Sequence, residues 1–144
     1  MLKTIAVGTD GSDTAAKAVD FALDLAEKFG ATLVITSSYR PKSEAELRKE
    51  RAEAPADIQW MFNPQSDVDA ILRDVEDLAS DRGVETISDA REGGPADVLV
   101  EVAADNNADL LVIGNKGMQR KVLGSVPNSV SHNAPCSVVI VKTT

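Results

Sequence analysis

Apolar and polar positions along this chain follow two periods. Short apolar runs of strand length are followed repeatedly by longer stretches with apolar residues three and four apart. The first run, KTIAV from Lys3 to Val7, ends at Gly8 and reads as a buried strand. Beyond it, Ala15, Ala18, Val19, Ala22, Leu25 and Ala26 recur at helical spacing. Asp10, Ser12 and Asp13 are candidate caps for that helix, and Phe29-Gly30 marks its end. ATLVITSSY, from Ala31 to Tyr39, predicts a second strand. Asp67 to Arg82 predicts a second amphipathic helix, with Val68, Ile71, Leu72, Val75, Leu78 and Ala79 on one face and Gly83 as its stop. VETISDAR alternates and predicts a third strand nearer the sheet edge. Gly93-Gly94-Pro95 opens a third helix carrying Val98, Leu99, Val102 and Ala103. ADLLVIG is a fourth strand. A fourth helix starts at Ser125 or Pro127 and runs to about Asn133, and SVVIVKT is a fifth strand.

Strands that alternate with helices imply an α/β fold with parallel pairing, right-handed crossovers and helices on both faces of the sheet. The 144 residues fit a single domain, residues 1–144, with a core of its own. The charged, proline-punctuated stretch 40–63 is long for a loop. It is expected to be a mobile insertion, or to carry a short helix over Ser43–Arg51. Trp60, Met61 and Phe62 within it read as a plug against the sheet, a lid or a partner contact.

Charge narrows the choice of partner. The net charge is −8, which argues against a broad nucleic-acid footprint and against anionic membranes. It leaves room for a small anion held by backbone amides, because such a site is local. Aromatic residues make up only 3%, too few for a base-stacking platform. No apolar run approaches the roughly 18 to 20 residues that span a bilayer. Cys136 is the only cysteine, so no intramolecular disulfide forms. With an opening MLKTIAVGTDGS that lacks a signal-peptide layout, this points to the cytoplasm.

Candidate chemistry gathers where the predicted strands end. In an open parallel sheet, ligands sit beyond the carboxyl ends of the strands, where the strand order reverses. Those ends carry Gly8-Thr9-Asp10-Gly11-Ser12, Ser37-Ser38-Tyr39, Glu92-Gly93-Gly94 and Gly114-Asn115-Lys116-Gly117. Glycines let the backbone approach a ligand closely, and a loop leading into a helix N-terminus attracts phosphate. Ser125 offers a hydroxyl; Lys116, Arg120 and Lys121 offer positive charge; Asp10 offers an acceptor for an exocyclic amine or a ribose hydroxyl. Each has a plainer reading as well. The glycines serve turns, Asp10 or Ser12 caps a helix, the lysines form a solvated face, His132 is a surface histidine, and Cys136 is a small buried hydrophobe. The sequence has no GxxxxGK[ST] loop, no GxGxxG after the first strand, no CxxC, no HExxH and no nucleophile elbow. It offers a place to bind a nucleotide, with no catalytic residue and no autonomous metal site to assign.

The stretches IAVGTDGSDTAAKAVDFALDLA, GPADVLVEVAADNNADLLVIGNKG and LGSVPNSVSHNAPCSVVIVKT together resemble the universal stress protein family over essentially the whole chain. The resemblance implies an open five-stranded parallel, Rossmann-like sheet, of the kind shared with adenine nucleotide alpha hydrolases. It also implies a homodimer and a role in stress response or signalling. Gly114, Gly117, Gly124 and Ser125 match the residue types of the Gly-x2-Gly-x9-Gly-[Ser/Thr] motif of the nucleotide-binding branch. Carried over residue by residue, Asp10 falls near the base, Ser38 where backbone groups meet adenine, and Gly8 and Gly114 beside the ribose. Gly117, Gly124, Ser125 and Val126 fall at the phosphates, and Thr9 and Ile113 complete the set.

The spacing departs from the motif. Six residues, MQRKVL, separate Gly117 from Gly124, where the motif has nine. Three residues is nearly one helical turn of about 3.6. The shorter span draws the Gly124-Ser125 amides toward Gly117, which favours a mono- or cyclic phosphate over a triphosphate.

The expected function is therefore an adenine-nucleotide-binding stress protein taking ATP, AMP or cyclic AMP. Magnesium would arrive only through the phosphates, and catalysis would amount at most to slow ATP hydrolysis. The expected dimer contact is the apolar edge strand Ser137–Thr143, since the family pairs its final strand with a second copy. Two alternatives stand beside this: a dimeric interaction protein that needs no nucleotide, and an ATP-using hydrolase or transferase on the same fold.

Overall fold

The computed structural model describes residues 1–40, 48–49, 52, 64–115 and 124–143. Most of the expected insertion therefore lies outside the described residues, including Trp60, Met61 and Phe62. So do Lys116, Gly117, Arg120 and Lys121.

Strand β1 is Thr4–Gly8 and leads into helix α1, Asp13–Phe29. Ser12 caps α1 by accepting from Ala15 N at 3.2 Å, and Gly30 ends it in the left-handed conformation, φ 64°. Strand β2, Thr32–Thr36, is followed by the two-residue β3, Ser38–Tyr39. Helix α2 spans Pro64–Asp81, and β4 and β5 are Thr86–Ser88 and Arg91–Glu92. Helix α3, Pro95–Asp105, starts with proline in its first turn; β6 is Leu110–Asn115, α4 is Ser125–Asn133, and β7 is Ser137–Lys142.

The main sheet has five strands in the order β4-β2-β1-β6-β7, all parallel; β3 and β5 form a separate two-stranded pair. The expected second and third strands are thus each divided. After Thr36 and Ser88 the backbone leaves the main sheet, and Arg91 N donates to Ser37 O at 3.2 Å to begin the small pair.

The sheet separates two cores. Ile5, Val7, Leu33, Ile35 and Val112 face α1 and α2, packing on Ala22, Leu23, Leu72 and Ala79. Ala6, Val34, Leu111 and Ile113 face α3 and α4, packing on Val98, Val102, Ala103 and Val130. Period-two alternation along each strand assigns every side chain to one core or the other. Leu78 departs from expectation: it is 49% exposed. Val68, Leu72, Val75 and Ala79 of α2 are the residues of that face that reach the core.

Short ties fix the periphery. Arg82 donates to Asp24 and Glu27 of α1, which raises its pKa, the hydrogen bond to Asp24 first. Arg91 donates to Asp89 and Asp105, and this holds the Asp89 carboxyl below its ordinary range. Asp109 accepts from the amides of Lys3 and Thr4 at 2.9 and 3.0 Å, with the same effect on its carboxyl.

Candidate functional site

From β1 the chain proceeds outward to β2 and β4. It then crosses back to β6 and β7 on the other side of β1. The order reverses between β1 and β6, where the loops leaving the two strands diverge and open a crevice. A cleft of about 350 Å³ lies there, roofed by the starts of α3 and α4.

The expected site residues converge on it. Gly8, Thr9 and Asp10 leave β1 along one wall, with Ser38 beyond them. Ile113 and Gly114 end β6 in the floor, and Gly124, Ser125 and Val126 form the opposite wall. Gly117 lies outside the described residues. At two of the glycines a side chain would need its neighbour to move. A Cβ on Gly8 would overlap Leu99 Cδ2, and one on Gly114 would sit 3.2 Å from Thr143 Cγ2.

The β1–α1 loop satisfies itself. Gly11 N donates to Thr9 Oγ1 at 3.1 Å, Ser12 N to Asp10 Oδ1 at 2.9 Å, and Thr9 N to the Thr36 carbonyl at 2.9 Å. Gly11, at φ 81°, supplies the turn. Asp10 and Ser12 do serve as turn and cap residues, as their plainer reading held, and Asp10 keeps its exposed place at the cleft as well.

The start of α4 is built differently. Gly124 is its N-cap, and no side chain among the described residues caps it. Gly124 N donates to Asn115 Oδ1 at 3.2 Å. The following amides, of Ser125 and Val126, lie in the first turn of the helix and have no partner within it. Pro127, buried behind them, has no amide at all. Two backbone donors, one hydroxyl and the positive end of the helix dipole therefore meet the cleft together, which is an anion-binding arrangement. Among the described lining residues Asp10 carries the only charged side chain. An anion in the described part of the cleft would be held by amides and dipole rather than by a cation.

The opposite roof is apolar. Pro95, Val98 and Leu99 of α3, at helical spacing i, i+3 and i+4, face Ile113 and Val126 across the opening. A flat, weakly polar ring fits between such walls. Sequence reasoning read Val98 and Leu99 as core only, and they are core at their inner ends. Ser37 and Asn115, from the strand-end stretches, also line the cleft, as do Thr14, Ala15 and Thr36, to which sequence reasoning assigned no site role. The signal for Thr36 was available, because alternation from buried Val34 places it on the same face.

Comparison with known proteins bears on this geometry. The profile of the universal stress protein family matches residues 1–142. The chain belongs to that family. A universal stress protein of Mycobacterium tuberculosis is 38% identical over 146 residues, covering 99% of this chain and 97% of the relative. A universal stress protein crystallised in complex with cAMP is 34% identical, with a TM-score of 0.74, covering 99% of this chain and 98% of that one. The family fold persists at lower identity. An Arabidopsis thaliana universal stress protein family member with AMP bound is 17% identical, with a TM-score of 0.74, covering 99% and 92% of the two chains. Within the family's α/β architecture, this chain has the five-stranded parallel sheet and the cleft at its switch point.

Proposed function

We propose that this universal stress protein binds an adenine nucleotide in the cleft between β1 and β6. The observation that carries the reading is the start of α4, which no described side chain caps and whose Ser125 and Val126 line a cleft with an apolar roof and an acidic acceptor, Asp10, at its far side. In this reading the phosphate sits at Gly124, Ser125, Val126 and Gly117. The ribose lies over Gly8 and Gly114, and the base lies by Thr9, Asp10 and Ser38 with Ile113 beneath. The 34%-identical relative in complex with cAMP supports the ligand class. The six-residue span from Gly117 to Gly124 favours AMP or cyclic AMP over ATP. Magnesium, where present, rides on the phosphates. Among the described residues no cluster of His, Cys, Asp and Glu could hold a metal by itself.

A role in stress response or signalling, a cytoplasmic location and the lack of dedicated catalysis belong to the same reading and rest on family membership. So does a homodimer through Ser137–Thr143. Among the described residues strand β7 pairs on its β6 side alone and keeps Val138 to Val141 half-buried at the sheet edge, which a second copy would cover. A monomer in sedimentation at micromolar concentration would remove the dimer.

Calorimetric titration with AMP, cyclic AMP and ATP tests the ligand. AMP or cyclic AMP should bind more tightly than ATP. Gly117→Val with Ser125→Ala should weaken binding about 10- to 100-fold through loss of a charge-assisted hydrogen bond and of space for the phosphate. The double variant should keep its fold. No binding of any of the three at millimolar concentration overturns the reading in favour of the nucleotide-independent interaction protein.

A further inference from the structure

Thr36 is the last residue of β2 and lies opposite Gly8 of β1. Alternation sends Leu33 and Ile35 to the α1 face and Val34 to the α3 face. Thr36 follows Val34 to the face where the cleft lies, and it forms part of the lining. The residue is only 1% exposed, yet its Oγ1 has no hydrogen-bond partner among the described residues. Its neighbours are satisfied: Thr9 N bonds the Thr36 carbonyl, and Thr9 Oγ1 accepts from Gly11. A buried hydroxyl without a partner destabilises a fold, and valine would fill the same volume without that cost.

Position decides which part of a ligand this hydroxyl could serve. The strands run β2-β1-β6, so Thr36 lies two strands from the end of β6. At one strand spacing of about 4.8 Å, that is roughly 10 Å. The group over Thr36 is therefore not the group held by the amides of α4. Thr36 lines the cleft, and a rotation of χ1 to another staggered well is the movement by which its hydroxyl would meet a ligand there.

We propose that Thr36 is a specificity-determining residue, its buried hydroxyl reserved for a hydrogen bond to the base of the bound nucleotide. This rests on the nucleotide reading above. The hydroxyl both donates and accepts, so it can serve a ring nitrogen or an exocyclic amine. It also couples two observables of opposite sign: the free protein carries the unpaired group, and the complex satisfies it.

The test titrates the parent protein, Thr36→Val and Thr36→Ser with AMP and adenosine, and melts each protein without ligand. Thr36→Val should weaken AMP and adenosine by the same factor, about fivefold to tenfold. The melting midpoint of the free Thr36→Val protein should rise by about 3 °C. Thr36→Ser should bind within about twofold of the parent, because it keeps the hydroxyl. Unchanged binding in Thr36→Val, or a lowered midpoint in its free form, overturns the assignment while leaving nucleotide binding intact. A parent protein that binds neither AMP nor adenosine overturns the nucleotide reading and this inference with it.

Discussion

Helices α1 and α4 both start at the cleft, each after a loop that leaves the carboxyl end of a parallel strand. Their first turns face the same opening with opposite chemistry. Helix α1 is closed: Ser12 caps it, and Thr9 and Asp10 bond the amides just before it. Helix α4 is open among the described residues: its cap is Gly124, which has no side chain to offer, and Asn115 Oδ1 accepts from the Gly124 amide. The difference shows that a helix start at a strand end is not in itself a binding site. What matters is whether the chain spends those donors on itself. Here it does so on the Asp10 side, whereas on the Ser125 side no described side chain caps the helix, so the two ends of the cleft differ in what they offer.

The comparison can be broken most severely by closing α4. In Gly124→Asp a carboxylate would cap the helix from within and stand at the proposed phosphate position. Gly124 has φ −61°, which any residue adopts, and its Cβ would meet Asn115 Oδ1 at 3.2 Å, so a small shift admits it. Nucleotide binding should fall at least about 100-fold, through loss of the amide site and added repulsion. The melting midpoint should hold or rise, since a good N-cap contributes about 1 kcal/mol. Binding that survives in calorimetry would mean that the anion goes elsewhere.

Opening α1 is the converse experiment. Ser12→Ala removes the hydroxyl that accepts from Ala15 and should cost about 1 kcal/mol in denaturant unfolding. Affinity for AMP should change by less than about twofold, because those donors were never offered to a ligand. A large loss of affinity would show that the two helix starts act together.

The smallest effect lies away from both helices. The Asp89 and Asp109 carboxyls are held below their ordinary range, by Arg91 first and by the Lys3 and Thr4 amides respectively. Groups depressed in the folded state bind fewer protons there than in the unfolded chain. The stability they add is complete above about pH 4 and is lost as the pH falls below that. Asp89→Asn should flatten the acid limb of a stability–pH profile and leave pH 7 binding unchanged. The same flattening should appear in Gly124→Asp and Ser12→Ala backgrounds.

Much of this was legible beforehand, for physical reasons that differ by residue. The strands and helices followed from apolar periodicity, since Ile5, Val7, Leu33 and Ile35 must share one face. The helix ends followed from Gly30 and Gly83, whose positive φ of 64° and 69° is what terminal glycine permits. The splitting of the second strand was not legible, because nothing in SSY distinguishes a strand that stays in its sheet from one that leaves to pair with Arg91 and Glu92. Asp10 was ambiguous between cap and ligand group, and its geometry gives it a turn role at the rim of the cleft. Thr36 was overlooked because a threonine in a strand is ordinary; only its lack of a partner among the described residues sets it apart. Leu78 misled, because periodicity gives direction and not the depth of what lies beneath.

Ile113, Leu99, Val98 and Val126 belong at once to the second core and to the wall of the cleft. The cleft is thus the unfinished end of that core, a last layer whose own side chains stop short. A planar base laid between Leu99 and Ile113 would complete the layer. Part of the heat-capacity change on unfolding would then belong to the guest, and the occupied molecule would melt as a slightly larger protein than its sequence describes.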